Sequence, residues 1–133
     1  MIPNISSQIT FLYFKDLEKA DIFFSTVLGL DLVEDQGWAK IYQVSKGAFI
    51  GAVDETRGSL KAKTDSAVLI TFCVEDVQGF ADRLREHDIN ITKDVNVFEE
   101  IQIINCFFDG PEGYKFEVQE FLRPVAKKIF HQV

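Results

Sequence analysis

The sequence predicts an α+β domain made of two βαβββ halves, and three observations carry that prediction. A strand followed by a helix with an Asp at its N-cap position occurs twice, and the two caps, Asp16 and Asp76, lie 60 positions apart. The run Gly47-Ala48-Phe49-Ile50-Gly51 has a counterpart in Gly113-Tyr114-Lys115-Phe116-Glu117 at an offset of 66. Between the copies, a stretch rich in charge, Gly, Ser and Thr reads as a linker. An internal duplication accounts for all three. It divides the chain into a first half at about residues 5–54, a linker at 55–66, a second half at 67–121 and a tail at 122–133.

The first half opens on Gln8 to Phe14, whose β-branched and aromatic residues suit a strand. At Lys15-Asp16 the apolar period becomes helical. Leu17, Ala20, Phe24, Val27 and Leu28 share one helical stripe, Asp16 is a good N-cap, and Gly29 stands where a left-handed residue closes a helix. Strands are predicted at Leu30 to Glu34, Trp38 to Val44 and Ala48 to Val53, separated by Asp35-Gln36-Gly37 and Ser45-Lys46-Gly47.

In the second half Ala67 to Val74 is the first strand, and Val77, Phe80, Ala81 and Leu84 mark a helix ending near His87-Asp88. Ile89 to Thr92, Ile101 to Phe108 and Tyr114 to Glu120 are the remaining strands, with a strong turn signal at Asp109-Gly110-Pro111-Glu112-Gly113. After Pro124 the tail carries Val125, Ile129 and Phe130 at roughly helical spacing, compatible with a short docked helix or a frayed end.

A chain of 133 residues buries roughly two-thirds of its unfolded surface. Its apolar share of 47% is enough for a core and argues against disorder. The net charge of −7, with no Lys/Arg cluster interleaved with aromatics, argues against nucleic acid and anionic membranes as partners. No apolar run approaches the roughly 20 residues of a membrane helix and no signal pattern opens the chain, so a cytoplasmic protein is expected. Cys73 and Cys106 each sit in an apolar run, which favours buried free thiols over a disulfide or zinc knuckle.

Three segments carry a family resemblance: Thr10-Phe11-Leu12-Tyr13-Phe14-Lys15-Asp16-Leu17-Glu18-Lys19-Ala20, the helix exit Val27-Leu28-Gly29-Leu30, and Phe108 to Val118 around Asp109-Gly110-Pro111-Glu112-Gly113. With the repeat, the chain resembles the vicinal-oxygen-chelate superfamily of glyoxalases, bleomycin-resistance proteins and extradiol dioxygenases. The resemblance implies two cups of four strands with a helix outside each, a ligand cavity between them, and a homodimer. It also implies metal ligands on the first and fourth strands of each half, which fall here on Ile9, Gly51, Leu69 and Glu117.

Of these four only Glu117 has a donor atom, and a protein metal site usually needs about three protein ligands. No metal or other cofactor is therefore expected. A relocated set would have to draw on Cys73, Cys106 and Glu117, while the lone His87 and His131 read as solvated.

Strand alternation assigns Ile9, Phe11, Tyr13, Phe49, Gly51, Leu69, Thr71, Cys73 and Glu117 to the cavity, with Trp38, Tyr42 and Phe108 added as aromatic candidates whose parity a bulge would change. Such a lining suits a flat small organic molecule, and the acidic balance favours a cationic aromatic guest such as a drug. Two functions are consistent with it. One is a non-catalytic binding protein like the bleomycin-resistance members. The other is a lyase, isomerase or dioxygenase-type enzyme using Glu117 as base or a relocated metal.

Overall fold

The computed structural model describes residues 3–62 and 67–131, so residues 63–66 of the predicted linker and the end of the tail lie outside the described residues. The chain divides into two units, Met1–Thr64 and Asp65–Val133, each holding one four-stranded mixed sheet.

In the first unit β1 (Gln8–Phe14) runs parallel to β4 (Ala48–Asp54), which pairs antiparallel with β3 (Ala39–Ser45), and β2 (Asp31–Asp35) closes the order β1-β4-β3-β2. Asp16 caps α1 (Leu17–Asp21) as predicted, its side chain accepting from the Lys19 amide. The helix then widens into a π-helical segment at Ile22–Val27, closed by the Leu28 N–H on the Phe23 carbonyl at 2.9 Å and by Gly29 at φ 69°. The extra residue in that wide turn seats Phe23 beside Phe24 in the core, where a regular stripe reached only Phe24.

Leu12, Phe14, Ile50 and Tyr42 form the face of the sheet turned to this helix, with Phe24 packed on Phe14 and Tyr42 at ring distances of 6.1 and 5.2 Å. Tyr42 is completely buried there. Its hydroxyl donates to Asp21 Oδ1 at 2.5 Å, and the Ser25 hydroxyl donates to the same oxygen at 3.1 Å. Burial, reinforced by the Asp21 carboxylate, pushes the phenol above its ordinary acidity value.

The second unit repeats the order as β5-β8-β7-β6, from β5 (Leu69–Cys73), β6 (Ile91–Phe98), β7 (Ile103–Asp109) and β8 (Lys115–Phe121). Here α2 (Val77–Glu86), capped by Asp76 on the Gly79 amide, buries Val77, Ala81 and Leu84. Beneath it Phe72, Phe108 and Phe116 stack at 5.9 and 5.5 Å. β6 runs to Phe98, well past the predicted Thr92. It is an edge strand with two register shifts, and its Lys, Asp and Asn residues hide the strand signal.

The tail forms α3 (Pro124–Phe130), with Ala126 buried and Phe130 stacked on Phe121 at 4.3 Å. His131 is not a solvated side chain: its Nε2 accepts the Phe121 backbone N–H at 2.9 Å. No helix among the described residues is long and apolar enough to cross a membrane.

Two stability predictions follow from these contacts. Tyr42→Phe removes a donor to a carboxylate in a part-buried site and should cost about 1.5 kcal/mol in urea unfolding. An unchanged midpoint would mean that the buried hydroxyl contributes nothing.

Asp109 accepts from Lys115 at 2.6 Å and from Asn90 at 2.9 Å, and the Lys115 ammonium in particular holds its carboxyl below the usual range. Because the folded value is depressed, this contribution is present above about pH 4 and is lost as pH falls through the lowered folded value. Lys115→Gln should therefore shrink the stability lost between about pH 5 and about pH 2, as thermal melts across that range would record.

Candidate functional site

The register of the first sheet fixes what its helix-free face carries. Ile9 pairs with Phe49, Phe11 with Gly51 and Tyr13 with Val53, and on the far side of β4 Gly51 pairs with Ile41 and Val53 with Ala39. One end of that face opens into a cleft of about 430 Å³. Phe11, Tyr13, Ala39 and Val53 line its sheet side, and Gln36 and Trp38 come from the turn ahead of β3. Trp38 precedes the strand, so strand alternation does not dictate where its ring goes. Phe11 and Trp38 keep 43% and 38% of their surface exposed, so aromatic surface on both sides of the cleft can be covered by a guest.

The opposite side of the cleft is a loop, residues 55–60, that the sequence marked only as linker. It contributes Arg57, Gly58 and Ser59. Asp54 organises it by accepting from the Thr56 amide and hydroxyl at 2.9 and 2.7 Å, while its carbonyl takes the N–H groups of Arg57 and Gly58, both at 3.0 Å. Gly58 lies flat against Tyr13, since a Cβ there would come within 2.5 Å of the ring. The Tyr13 and Ser59 hydroxyls share a hydrogen bond of 3.1 Å. The loop is thus held to β1 and β4 at several points.

Gly51 does not leave a vacancy. A Cβ built there would sit 2.4 Å from Phe11 Cδ1, so the Phe11 ring already fills the space that a side chain at residue 51 would need.

On the helix-free face of the second sheet, Thr71 pairs with Glu117 and Glu117 with Phe107, while Cys73 and Asn105 both pair with Gln119. Glu117 is only 6% exposed. Its Oε1 accepts from the Thr71 hydroxyl at 2.8 Å and its Oε2 from the Asn105 amide at 3.1 Å. The Asn105 Oδ1 is buried without a hydrogen-bond partner among the described residues. Although Cys73 is an exposed residue, partial desolvation of its sulfur first, and the Glu117 charge second, push the thiol upward, away from the thiolate that would bind a metal. Leu69 borders a separate cleft of about 440 Å³ with Thr92, Lys93, Phe107 and Lys115.

Four sequence expectations require correction. Cys73, expected as a buried thiol, is exposed, because it ends β5 on the helix-free face. Tyr42 belongs to the helix-side core, its register partner being Ile50 rather than Gly51, so it does not reach the cavity face. Phe108 likewise pairs with Phe116 and is completely buried, and it is Phe107 that occupies the helix-free face. Cys106 pairs with Val118 on the helix side, where it is buried, so Cys73, Cys106 and Glu117 do not converge. Among the described residues no three His, Cys, Asp or Glu side chains are grouped to hold a metal ion. Asn105 and the 55–60 loop were missed. A polar residue inside the apolar β7 run was the available signal for the first, and the Asp54-Glu55-Thr56 start of the loop for the second.

The Glu117 contact generates a prediction. Asn105→Asp would set two carboxylates within hydrogen-bond distance, so one of them keeps its proton in the folded state and has a raised folded value. That raised value makes the variant's stability fall as pH rises. We expect a loss of about 2 kcal/mol at neutral pH that largely recovers near pH 4, read by urea unfolding. An equal loss at both values would contradict the contact.

Residues 7–118 match the sequence profile described as the Glyoxalase/Bleomycin resistance protein/Dioxygenase superfamily. Comparison with curated proteins gave no match. Similar solved structures include a glyoxalase/bleomycin resistance protein/dioxygenase from Nocardioides, with a TM-score of 0.74 at 17% identity, covering 93% of this chain and 88% of that one. A lactoylglutathione lyase from Agrobacterium tumefaciens gives a TM-score of 0.69 at 19% identity over 89% of this chain and 95% of that one. TioX from Micromonospora sp. ML1 gives 0.73 at 14% identity over 88% and 99%. Identities this low speak to the fold alone. The profile runs from just before β1 into β8, and the chain belongs to the Glyoxalase/Bleomycin resistance protein/Dioxygenase superfamily.

Proposed function

We propose that this chain is a non-catalytic binding protein for a flat, partly aromatic small molecule, drugs included, and that the guest sits in the cleft bordered by Phe11, Tyr13 and Trp38. The observation that carries the reading is the pair of partly exposed aromatic side chains, Phe11 and Trp38, lining a space of about 430 Å³, a volume typical of small-molecule sites.

The metal chemistry of the family does not fit the residues present. Ile9 and Leu69 have no lone pair, Gly51 has no side chain and is covered by Phe11, and both Glu117 oxygens already accept hydrogen bonds from neutral donors. No step through a bound ion is derived for this chain. An enzymatic reading would have to rest on Glu117 as an isolated base, and its engagement with Thr71 and Asn105 weighs against that.

Trp38 is the sole tryptophan in the sequence, so intrinsic fluorescence reports on the cleft directly. Titration with planar aromatic compounds should quench Trp38, and a ligand at about one hundred times its Kd should add about 2.7 kcal/mol to the stability of the folded state. Phe11→Ala should weaken that binding about tenfold or more. A stoichiometric transition metal in protein purified without chelators, or a turnover abolished by Glu117→Gln, would overturn the proposal.

A further inference from the structure

We infer that the cleft of the first unit selects aromatic anions, carboxylates above all, with Arg57 as the group that recognises the negative edge of the guest. The inference rests on the binding reading proposed above and adds to it the sign of the ligand.

Charge at the cleft itself decides the matter. Arg57 is the one charged residue lining it, and no carboxylate does so among the described residues. Its guanidinium is in no ion pair among the described residues. Of the acids nearby, Asp35 is paired with Lys40 at 3.0 Å, Glu55 accepts from the Ala62 amide at 3.2 Å, and Asp54, which feels the Arg57 charge at longer range, takes its hydrogen bonds from Thr56. Within residues 54–62 two acids, Asp54 and Glu55, are balanced by two cations, Arg57 and Lys61, so the loop adds no net negative field.

The whole-chain charge of −7 points the other way, toward a cationic guest. Exposed charges farther off than a Debye length of about 8 Å are largely screened by physiological salt, whereas Arg57 lines the cleft itself. A guanidinium also offers a planar fork of donors that matches a carboxylate edge in two parallel hydrogen bonds, which a flat ring seated on Trp38 and Phe11 would present.

The loop contacts make this a prepared site. The Asp54 hydrogen bonds fix the backbone on either side of Arg57, and Gly58 pressed on Tyr13, with Ser59 bonded to its hydroxyl, ties the loop to the aromatic wall. With the loop backbone already fixed, recognition does not have to order that segment, which lowers its entropic cost.

The test uses three compounds that share a ring and differ in charge: para-nitrobenzoate, para-nitrobenzamide and para-nitrobenzylamine. Each is titrated against the full chain by Trp38 quenching and by calorimetry. The expected result is that para-nitrobenzoate binds about tenfold or more tightly than the other two, and that Arg57→Gln brings the three within about twofold of one another. Arg57 is exposed, and a melting temperature within a few degrees of wild type will verify that the variant is folded.

Equal or tighter binding of the amide or the amine to wild-type protein would overturn the anion preference while leaving the binding function intact. A preference for the carboxylate that survives Arg57→Gln would remove Arg57 from its role. If none of the three quenches Trp38 or releases heat, the inference and the binding proposal fall together.

Discussion

The two-residue alternation of β1, carried through its parallel register with β4 and on into β3, is the constraint from which the rest of the first unit follows. It sends Leu12 and Phe14 to the helix and Phe11 and Tyr13 to the other side. A slip of one residue would exchange the two sets, exposing the anchors of the core and burying the cleft wall. Phe14 of β1 and Tyr42 of β3 both meet Phe24 on the helix side, and the Tyr42 hydroxyl bonds Asp21 there, so the helix anchors the strands on either side of β4 to the same face. The core and the cleft are therefore two consequences of one register.

Much of this was legible in the residues. Both Asp N-caps, the Gly29 helix exit and the alternation in β1 are local signals, written within a few positions of where they act. What escaped was decided at longer range. Whether Tyr42 or Ile41 faces the cleft depends on which residue of β4 each meets, and a register shift near Gln43 displaces that pairing from the naive count. The widening of the first helix at Ile22–Val27 depends on seating two consecutive phenylalanines against one sheet, which no periodicity of 3.6 encodes. The same holds for Asn105, whose meaning comes from Glu117 on the neighbouring strand.

The two halves share a topology and have diverged in what they present. In the first, aromatic side chains and a fixed loop surround a cleft with one cationic group. In the second, the corresponding strands carry a carboxylate satisfied by Thr71 and Asn105, an exposed thiol made less acidic by partial desolvation, and a floor of stacked phenylalanines beneath α2. The polar trio is internally complete except for one amide oxygen, so it resembles a structural network more than a reactive centre.

The ring of Phe11 lying over Gly51 ties the histories of these two positions together. Any larger residue at 51 meets that ring first, so it becomes tolerable only after position 11 has shrunk or swung aside. A shrunken residue 11 would in turn strip the exposed wall of its aromatic face. Placing a donor-bearing residue at 51 of β4 is therefore coupled to a change at position 11, an epistatic pair in which neither substitution is tolerated as well alone as with the other.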